Sequence, residues 1–261
     1  MKNICIITGA SSGIGKEFFF QITCDKSFKF DELWVIARNK ENLESLSSLT
    51  DIPVKAISLD LSQDTAYEEY RRLLDAEKPN VSLLVNCSGF GKFESVEKVG
   101  YSDNMNMIDL NVKATAALDM ITLRYMRKGC GIINIASVAA YQPIPYIATY
   151  GATKAFVLSF TRALSMEVKK RGIHVMAVCP YWTKTAFFDR AIDGDVDPVV
   201  KKYAAMYDPR DIVRRALRDY KKRREVSLFG FATKLQLLGV KLLPAWLIMR
   251  IWMAQQKLFE R

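Results

Sequence analysis

The sequence predicts an α/β protein whose parallel sheet is covered by helices on both faces. Short apolar runs alternate with longer segments in which apolar residues recur at helical spacing. The runs are apolar throughout, as is typical of strands buried on both faces of a sheet. This alternation continues through most of the 261 residues without repeats or long linkers, so one domain with one core accounts for most of the chain.

Seven apolar runs are the predicted strands. In order they are NICIIT, ELWVIA, VKAISL, VSLLVN, GIINIA, IHVMAV and EVSLF. Between them lie predicted helices such as KEFFFQIT, NKENLESLSSL and DTAYEEYRRLLDAE. We therefore expect an α/β domain at residues 1–228 and a C-terminal extension at 229–261.

The formal net charge of +10 is concentrated near the end of the chain. Residues 1–200 carry 23 basic and 23 acidic side chains, whereas residues 201–261 carry 15 and 5. No nucleic-acid recognition motif accompanies this charge, so we expect no nucleic-acid partner. An anionic membrane surface or an anionic substrate tail fits it better.

The cysteines and the N-terminus point to a cytoplasmic protein. The five cysteines are scattered, with no C-x-x-C spacing, so we expect reduced thiols and no metal site. The first residues lead directly into a strand, and no signal peptide is expected.

A Gly-rich turn, TGASSGIG, follows the first predicted strand. Such a turn lets the backbone approach a pyrophosphate, and the next helix offers its free N–H groups to the negative charge. The expected dinucleotide contacts here are Gly9, Ser11, Ser12, Gly13, Ile14 and Gly15.

The end of the second strand, VIARNK, indicates which dinucleotide binds. Folds that hold NAD place an acidic residue about 20 positions after the last glycine. Here that position is Ala37, and Arg38 follows it. A guanidinium pairs with a 2′-phosphate that an acid would repel, so the expected cofactor is NADP(H).

The next two strand ends supply further expected cofactor contacts. Asp60 ends the third strand, where its carboxylate could accept from an adenine amino group, with Leu61 beside it. Asn86, Ser88 and Gly89 end the fourth strand at the carboxyl edge of the sheet, where ligands lie in open α/β folds.

Tyr150 and Lys154 form the candidate reacting pair. A four-residue step puts them on one helix face, about 6 Å apart at Cβ. A free phenol has a pKa of about 10, and a nearby ammonium favours the phenolate. A solvated surface pair would show the same spacing. Ser137 and Asn111 are polar residues in apolar surroundings, and both would need a buried partner.

Together these motifs resemble the short-chain dehydrogenase/reductase family over residues 1–228. The match rests on the order and spacing of TGASSGIG, Asp60, NCSG at 86–89, Asn111, Ser137, Tyr150-x-x-x-Lys154 and the stretch from Pro180 to Thr185. The resemblance implies a Rossmann-like, doubly wound sheet of seven parallel strands in a single domain. It also implies a homodimer or homotetramer built on the helices that carry Asn111 and Tyr150.

The same resemblance implies roles for individual residues. Tyr150 would be the general acid and base, and Ser137 would hydrogen-bond the substrate oxygen. Lys154 would hold the nicotinamide ribose and lower the pKa of Tyr150. Asn111 would order a water in the proton relay. Pro180, Thr183 and Thr185 would be further cofactor contacts.

Two positions depart from the family pattern. Cys87 stands where the family has a second Asn, so we expect weaker support for that loop. Tyr181 stands where the family has Gly, and because a Tyr adopts a positive φ only at a cost, we expect the loop to run differently.

The candidate pocket wall favours a lipophilic ketone or alcohol, such as a steroid, over a sugar. It comprises Phe90, Phe93, Tyr141, Tyr146, Tyr181, Trp182, Phe187 and Phe188. The alternative substrate is a 3-oxoacyl thioester, whose coenzyme A or acidic carrier would meet the basic C-terminal quarter. A non-catalytic NADP-binding regulator is a third possibility, although all four reacting positions are intact.

The extension has no acidic residue between Val226 and Phe259 and predicts one or two amphipathic helices, with Pro244 opening the second. Its apolar runs are too short for a transmembrane helix. Three alternatives remain open: it caps the pocket, packs on a second subunit, or makes peripheral contact with a membrane.

Overall fold

The seven predicted strands all form, in one parallel sheet. The computed structural model describes residues 1–191, 199–200, 202–203 and 205–259. Within them the strand order is β3-β2-β1-β4-β5-β6-β7. The strands are β1 Asn3–Thr8, β2 Glu32–Ala37, β3 Val54–Ser58, β4 Asn80–Asn86, β5 Gly131–Ile135, β6 His174–Val178 and β7 Val226–Ser227. This confirms the predicted doubly wound, Rossmann-like fold.

Helices cover both faces of the sheet. They are α1 Gly13–Cys24, α2 Lys40–Glu44, α3 Asp64–Glu77, α4 Val96–Ile108, α5 Ala114–Thr122, α6 Ala148–Glu167, α7 Phe187–Ala191, α8 Pro209–Lys221, α9 Phe231–Leu242 and α10 Ala245–Gln256. Side chains alternate along β1: Ile4 and Ile6 join the core under α3, α5 and α6, whereas Cys5 and Ile7 join the core under α1 and α8. Continuous apolar strands are needed because both faces are buried.

The strand order reverses between β1 and β4, which opens a crevice at the carboxyl edge of the sheet. The Gly-rich turn and the Cys87 loop both lie there. The Thr8 hydroxyl accepts from the N–H groups of Cys87 and Ser88, each at 3.1 Å. The expected loss of support at Cys87 therefore has a replacement, since the hydroxyl of the preceding strand ties the loop.

The extension folds back on the domain as α9 and α10, and Pro244 is the residue before α10, as predicted. The indole N–H of Trp252 donates to the Pro145 carbonyl at 3.0 Å. Gln256 exchanges two hydrogen bonds with the backbone of Lys202, at 3.0 and 2.9 Å. In the part of the chain described, no helix combines the length and apolar character needed to cross a membrane.

Candidate active site

One cavity of about 990 Å³ runs along the carboxyl edge of the sheet from the Gly-rich turn to α9 and α10. It gathers nearly all of the predicted site residues. Those that line it are Gly9, Ser11, Ser12, Gly13, Ile14, Gly15, Arg38, Asp60, Leu61, Ser88, Gly89, Ser137, Tyr150, Lys154, Pro180, Thr183 and Thr185. Asn86 and Asn111 are not among the lining residues. Among the described residues, no three His, Cys, Asp or Glu side chains cluster as metal ligands would.

The Gly-rich turn has the features of a phosphate cradle. Gly9 and Gly13 adopt φ of +65° and +53°, and a Cβ on Gly15 would collide with the Gly9 carbonyl. Ser12 precedes α1 without making a side-chain cap, and the first turn of α1 has no acidic residue. The N–H groups of that turn are therefore open to an anion, as a dinucleotide pyrophosphate requires.

Arg38 and Asp60 flank the adenosine end of the cavity. Arg38 is exposed just beyond β2 and has no ion-pair partner within the described ranges, while its carbonyl accepts from the Ser58 hydroxyl at 2.9 Å. The Asp60 carboxylate accepts from the N–H and the hydroxyl of Ser62, at 3.1 and 2.8 Å. The Arg38 guanidinium is thus available to a phosphate, and the Asp60 carboxylate is held in place.

Asn86 lies beneath the cavity instead of in its wall. Its side-chain amide donates to Asp119 at 2.8 Å and to Asn134 at 2.9 Å, inside a fully buried polar cluster. Burial raises the pKa of Asp119 to about 7, although the amides of Asn134 and Asn86 oppose the shift. The Asn86 side chain therefore braces β4 against β5 and α5, and the cofactor contact at this position stays a prediction.

Asn111 sits in a π-helical turn, Asp109–Lys113, between α4 and α5. Its amide donates to the Phe90 carbonyl at 2.9 Å and the Thr153 hydroxyl at 3.0 Å, and its oxygen accepts from the Phe90 N–H at 3.0 Å. Both donor hydrogens are engaged. The side chain therefore ties the β4 loop to α6, and the role of Asn111 in ordering a relay water stays a prediction.

The reacting groups converge at the start of α6. The Ser137 hydroxyl lies near the Tyr150 hydroxyl and acts to lower the pKa of that phenol, against the larger effect of burial. The Lys154 ammonium donates to the Ile135 carbonyl at 2.8 Å and lies 5.8 Å from the centre of the Tyr150 ring. The Thr153 hydroxyl donates to the Tyr150 carbonyl at 2.7 Å. The C-terminal end of β5 and the first turns of α6 thus place a phenol, a hydroxyl and an ammonium on one cavity wall.

Without cofactor the pKa of the Tyr150 phenol is raised, and its lowering by Lys154 and the bound oxidised cofactor stays a prediction. Burial raises the pKa of Tyr150 to about 12, with the Ser137 hydroxyl opposing the shift. Burial also lowers the pKa of Lys154 to about 8. Burial destabilises the phenolate by more free energy than the neighbouring groups contribute to stabilising it. Tyr150 is consequently a protonated phenol at neutral pH.

The far end of the cavity is aromatic. Phe93 is at its centre, with its ring 6.2 Å from Tyr150 and 5.9 Å from both Trp182 and Phe187. Trp252 of α10 stacks on Trp182 at 6.4 Å. The predicted wall residues Phe90, Phe93, Tyr181, Trp182, Phe187 and Phe188 line the cavity, whereas Tyr141 and Tyr146 do not.

The loop around Tyr181 runs without a positive φ at that residue, so the chain passes this point without the conformation that glycine would favour. Tyr146 does adopt a positive φ, +65°, next to the Pro145 carbonyl that Trp252 holds. No local sequence pattern predicts this contact, since 107 positions separate the two partners.

Three further residues position the site, and each carries a signal in the sequence that was not used to predict it. Asp119 is an acid in an otherwise apolar helical segment, ATAALDMIT. Thr8 is the first residue of the TGASSGIG turn, and Thr153 directly precedes Lys154. Each is a polar side chain where burial was expected, and each has a hydrogen-bond partner in the structure.

Comparison with known proteins agrees with this arrangement. The short chain dehydrogenase family profile matches residues 3–195. A 17-beta-hydroxysteroid dehydrogenase type 3 of Mus musculus is 30% identical, over 71% of this chain and 61% of that protein. A very-long-chain 3-oxoacyl-CoA reductase of Pyrenophora tritici-repentis is 31% identical, over 69% and 55%.

A solved short-chain dehydrogenase from Sphingobium yanoikuyae in complex with NADPH superposes with a TM-score of 0.76 and 27% identity. The superposition covers 92% of this chain and 93% of that one. The family profile, the seven-stranded parallel sheet and the convergent phenol, hydroxyl and ammonium agree. The chain belongs to the short-chain dehydrogenase family and is an oxidoreductase acting on CH–OH groups.

Proposed function

We propose that the protein interconverts a ketone and a secondary alcohol on a lipophilic substrate such as a steroid, with NADP(H) as its cofactor. The observation that carries this proposal is the shape of the cavity. A single space of about 990 Å³ joins the phosphate cradle and Arg38 to Tyr150 and then to an aromatic chamber. A hydrophobic substrate fits such a chamber better than a sugar does.

The proposed cofactor contacts are groups of the Gly-rich turn, the loop after β2, and α6. The Gly9–Gly15 turn and the open first turn of α1 bind the pyrophosphate, and Arg38 pairs with the 2′-phosphate. Lys154 holds the nicotinamide ribose. NADPH, when bound there, would supply a hydride to the carbonyl carbon of the substrate.

The protein manages the proton. The hydroxyls of Ser137 and Tyr150 bind the carbonyl oxygen, and Tyr150 donates its proton as negative charge develops there. Because burial keeps this phenol protonated at neutral pH, the group is ready to act as an acid in the direction of reduction. The Lys154 ammonium then stabilises the phenolate that is left.

A 3-oxoacyl thioester is the alternative substrate class. It is favoured by the 15 basic and 5 acidic residues of 201–261, which would attract an anionic carrier or coenzyme A phosphates. One relative is named a very-long-chain 3-oxoacyl-CoA reductase, and another a hydroxysteroid dehydrogenase.

An assay of NADPH oxidation with steroid ketones and 3-oxoacyl thioesters separates the two. We expect turnover of steroid ketones by the parent and loss of turnover in Tyr150→Phe. Turnover of thioesters alone would assign the alternative. No turnover of either class, with NADPH bound, would contradict the proposed function.

We also propose a homodimer built on α5 and α6. Met120, Phe156 and Met166 are large apolar side chains exposed on these helices, and Phe156 stacks on Phe160 at 5.6 Å. Light scattering should give twice the chain mass. A Phe156→Glu variant should shift it to a monomer, and an unchanged mass in that variant would contradict this interface.

A further inference from the structure

The outward face of α9 is apolar and basic, the reverse of an ordinary surface helix. Phe231, Leu235, Leu238 and Leu242 are 81%, 59%, 54% and 73% exposed. Their spacing of four, three and four places them on one face. Thr233 and Leu237, on the opposite face, are buried. A surface helix normally turns such a stripe toward the core, so this face indicates a partner.

The charges beside the stripe identify the chemistry of that partner. Lys234 and Lys241 are exposed on the same helix, and no acidic residue occurs from Val226 to Phe259. A second copy of the chain would bring the same positive charge to this face. An anionic lipid surface would neutralise it while taking up the apolar side chains, as it does for amphipathic helices that lie in the membrane interface.

The stripe is continuous with the substrate end of the cavity. Leu235 and Leu243 line the cavity, and both are solvent-exposed. Gly239 and Val240 of α9 line the cavity between them. A lipophilic molecule lying against the outer face of α9 is therefore beside an apolar opening that leads toward Phe93 and Tyr150.

We propose that the α9 face, Phe231 to Leu242, docks on an anionic lipid bilayer, and that the substrate enters from the bilayer past Leu235 and Leu243. The docking step stands on the exposed face alone. The entry step rests on the proposed function, because it needs a lipophilic substrate.

Co-sedimentation of the full-length protein with vesicles tests docking. The vesicles are phosphatidylcholine alone or with phosphatidylserine. We expect binding to the anionic vesicles that weakens with salt. In Lys234→Glu/Lys241→Glu, binding should fall roughly fivefold or more for each lysine. The matched control Lys26→Glu/Lys29→Glu changes the net charge equally at exposed sites before β2, on the opposite edge of the sheet, and should bind nearly like the parent.

The apolar part of the face has its own variants. Leu238→Ser/Leu242→Ser changes two exposed side chains that do not line the cavity, and binding should fall roughly tenfold or more. Leu49→Ser/Tyr101→Ser, at exposed positions outside the extension, is the control. Parent protein left in the supernatant, or α9 variants that sediment like the parent, would overturn docking. The parent could instead form a dimer that does not bind vesicles and that Leu238→Ser/Leu242→Ser, but not the control, dissociates. That result would assign the α9 face to a second copy of the chain and would overturn docking on lipid.

Entry is measured separately from catalysis. Leu238→Ser/Leu242→Ser should reduce a water-soluble ketone with NADPH at the parent rate and a long-chain ketone held in anionic vesicles about tenfold more slowly. Equal rates on the vesicle-held ketone would overturn entry from the bilayer. If the parent turns over no ketone in either form while still binding vesicles, the proposed function fails and docking stands.

Discussion

Replacing Trp252 by alanine removes the side chain through which α10 closes the substrate chamber. Trp252 is 9% exposed, stacks on Trp182 at 6.4 Å and donates to the Pro145 carbonyl at 3.0 Å. An indole buries roughly 150–250 Å², which at about 25 cal/mol per Å² gives about 4–6 kcal/mol as an upper limit. Truncations of buried aromatic residues cost about 3–5 kcal/mol. We therefore expect α10 to be undocked in a large fraction of the molecules.

Two assays detect this undocking. The KM for a lipophilic ketone should rise about tenfold or more, since the chamber loses one wall, while NADPH affinity should stay within about twofold, since the Gly-rich turn is remote from α10. Limited proteolysis should cut α10 faster. Trp246→Ala is the matched control, because Trp246 is on the same helix but is 57% exposed. Parent-like KM and proteolysis in Trp252→Ala would refute the wall assigned to α10.

Three further predictions concern charge and proton transfer. Arg38→Ala should weaken NADPH by roughly 10- to 100-fold and leave NADH nearly unchanged, because only the 2′-phosphate loses its partner. Since burial raises the pKa of Tyr150 to about 12 and lowers that of Lys154 to about 8, kcat/KM for reduction should be flat from about pH 5 to 7, whereas oxidation, which needs the phenolate, should climb up to about tenfold per pH unit over that range. Burial raises the pKa of the Asp119 carboxyl to about 7, so between pH 4 and 7 the folded state binds a proton that the unfolded state has released. The stability that this proton provides is lost as the pH rises from about 4 to 7. The unfolding free energies of the parent and Asp119→Asn should therefore differ by an amount that changes by about 4 kcal/mol over that window.

Each of these has a clear opposite result. If Arg38→Ala loses affinity for NADPH and NADH equally, Arg38 supports the loop after β2 and does not bind the 2′-phosphate. Oxidation that levels off below pH 7 would show that the bound cofactor and Lys154 overcome the burial of the phenol. The unfolding free energies of the parent and Asp119→Asn can be measured with urea at several pH values. If their difference does not change between about pH 4 and 7, Asp119 does not titrate in the folded state as assigned.

The fold was predictable because its signals are local. Each strand is a continuous apolar run, and the reversal at β1 and β4 places the Gly-rich turn and the Cys87 loop side by side. Tyr150 and Lys154 are four residues apart on one helix, so their proximity also followed from the sequence. The structure confirms the predicted strands and brings most of the predicted side chains to one cavity.

The rest depended on long-range contacts that a linear pattern does not carry. Whether Asn111 reaches a water or the Phe90 backbone depends on how α6 packs beside the β4 loop. The sign of the Tyr150 pKa shift depends on how deeply the ring is buried, and spacing from a lysine does not report burial. The contact from Trp252 to Pro145 joins the C-terminal extension to a loop 107 positions earlier, and no local pattern connects the two.

The central claim is that the Tyr150 hydroxyl delivers a proton to a ketone oxygen. Single-turnover reduction of a ketone by NADPH in Tyr150→Phe tests it most directly, with cofactor binding measured in the same variant. The account predicts normal NADPH binding and a rate of the chemical step lower by about 10² to 10⁴. A chemical step as fast as that of the parent protein would contradict it.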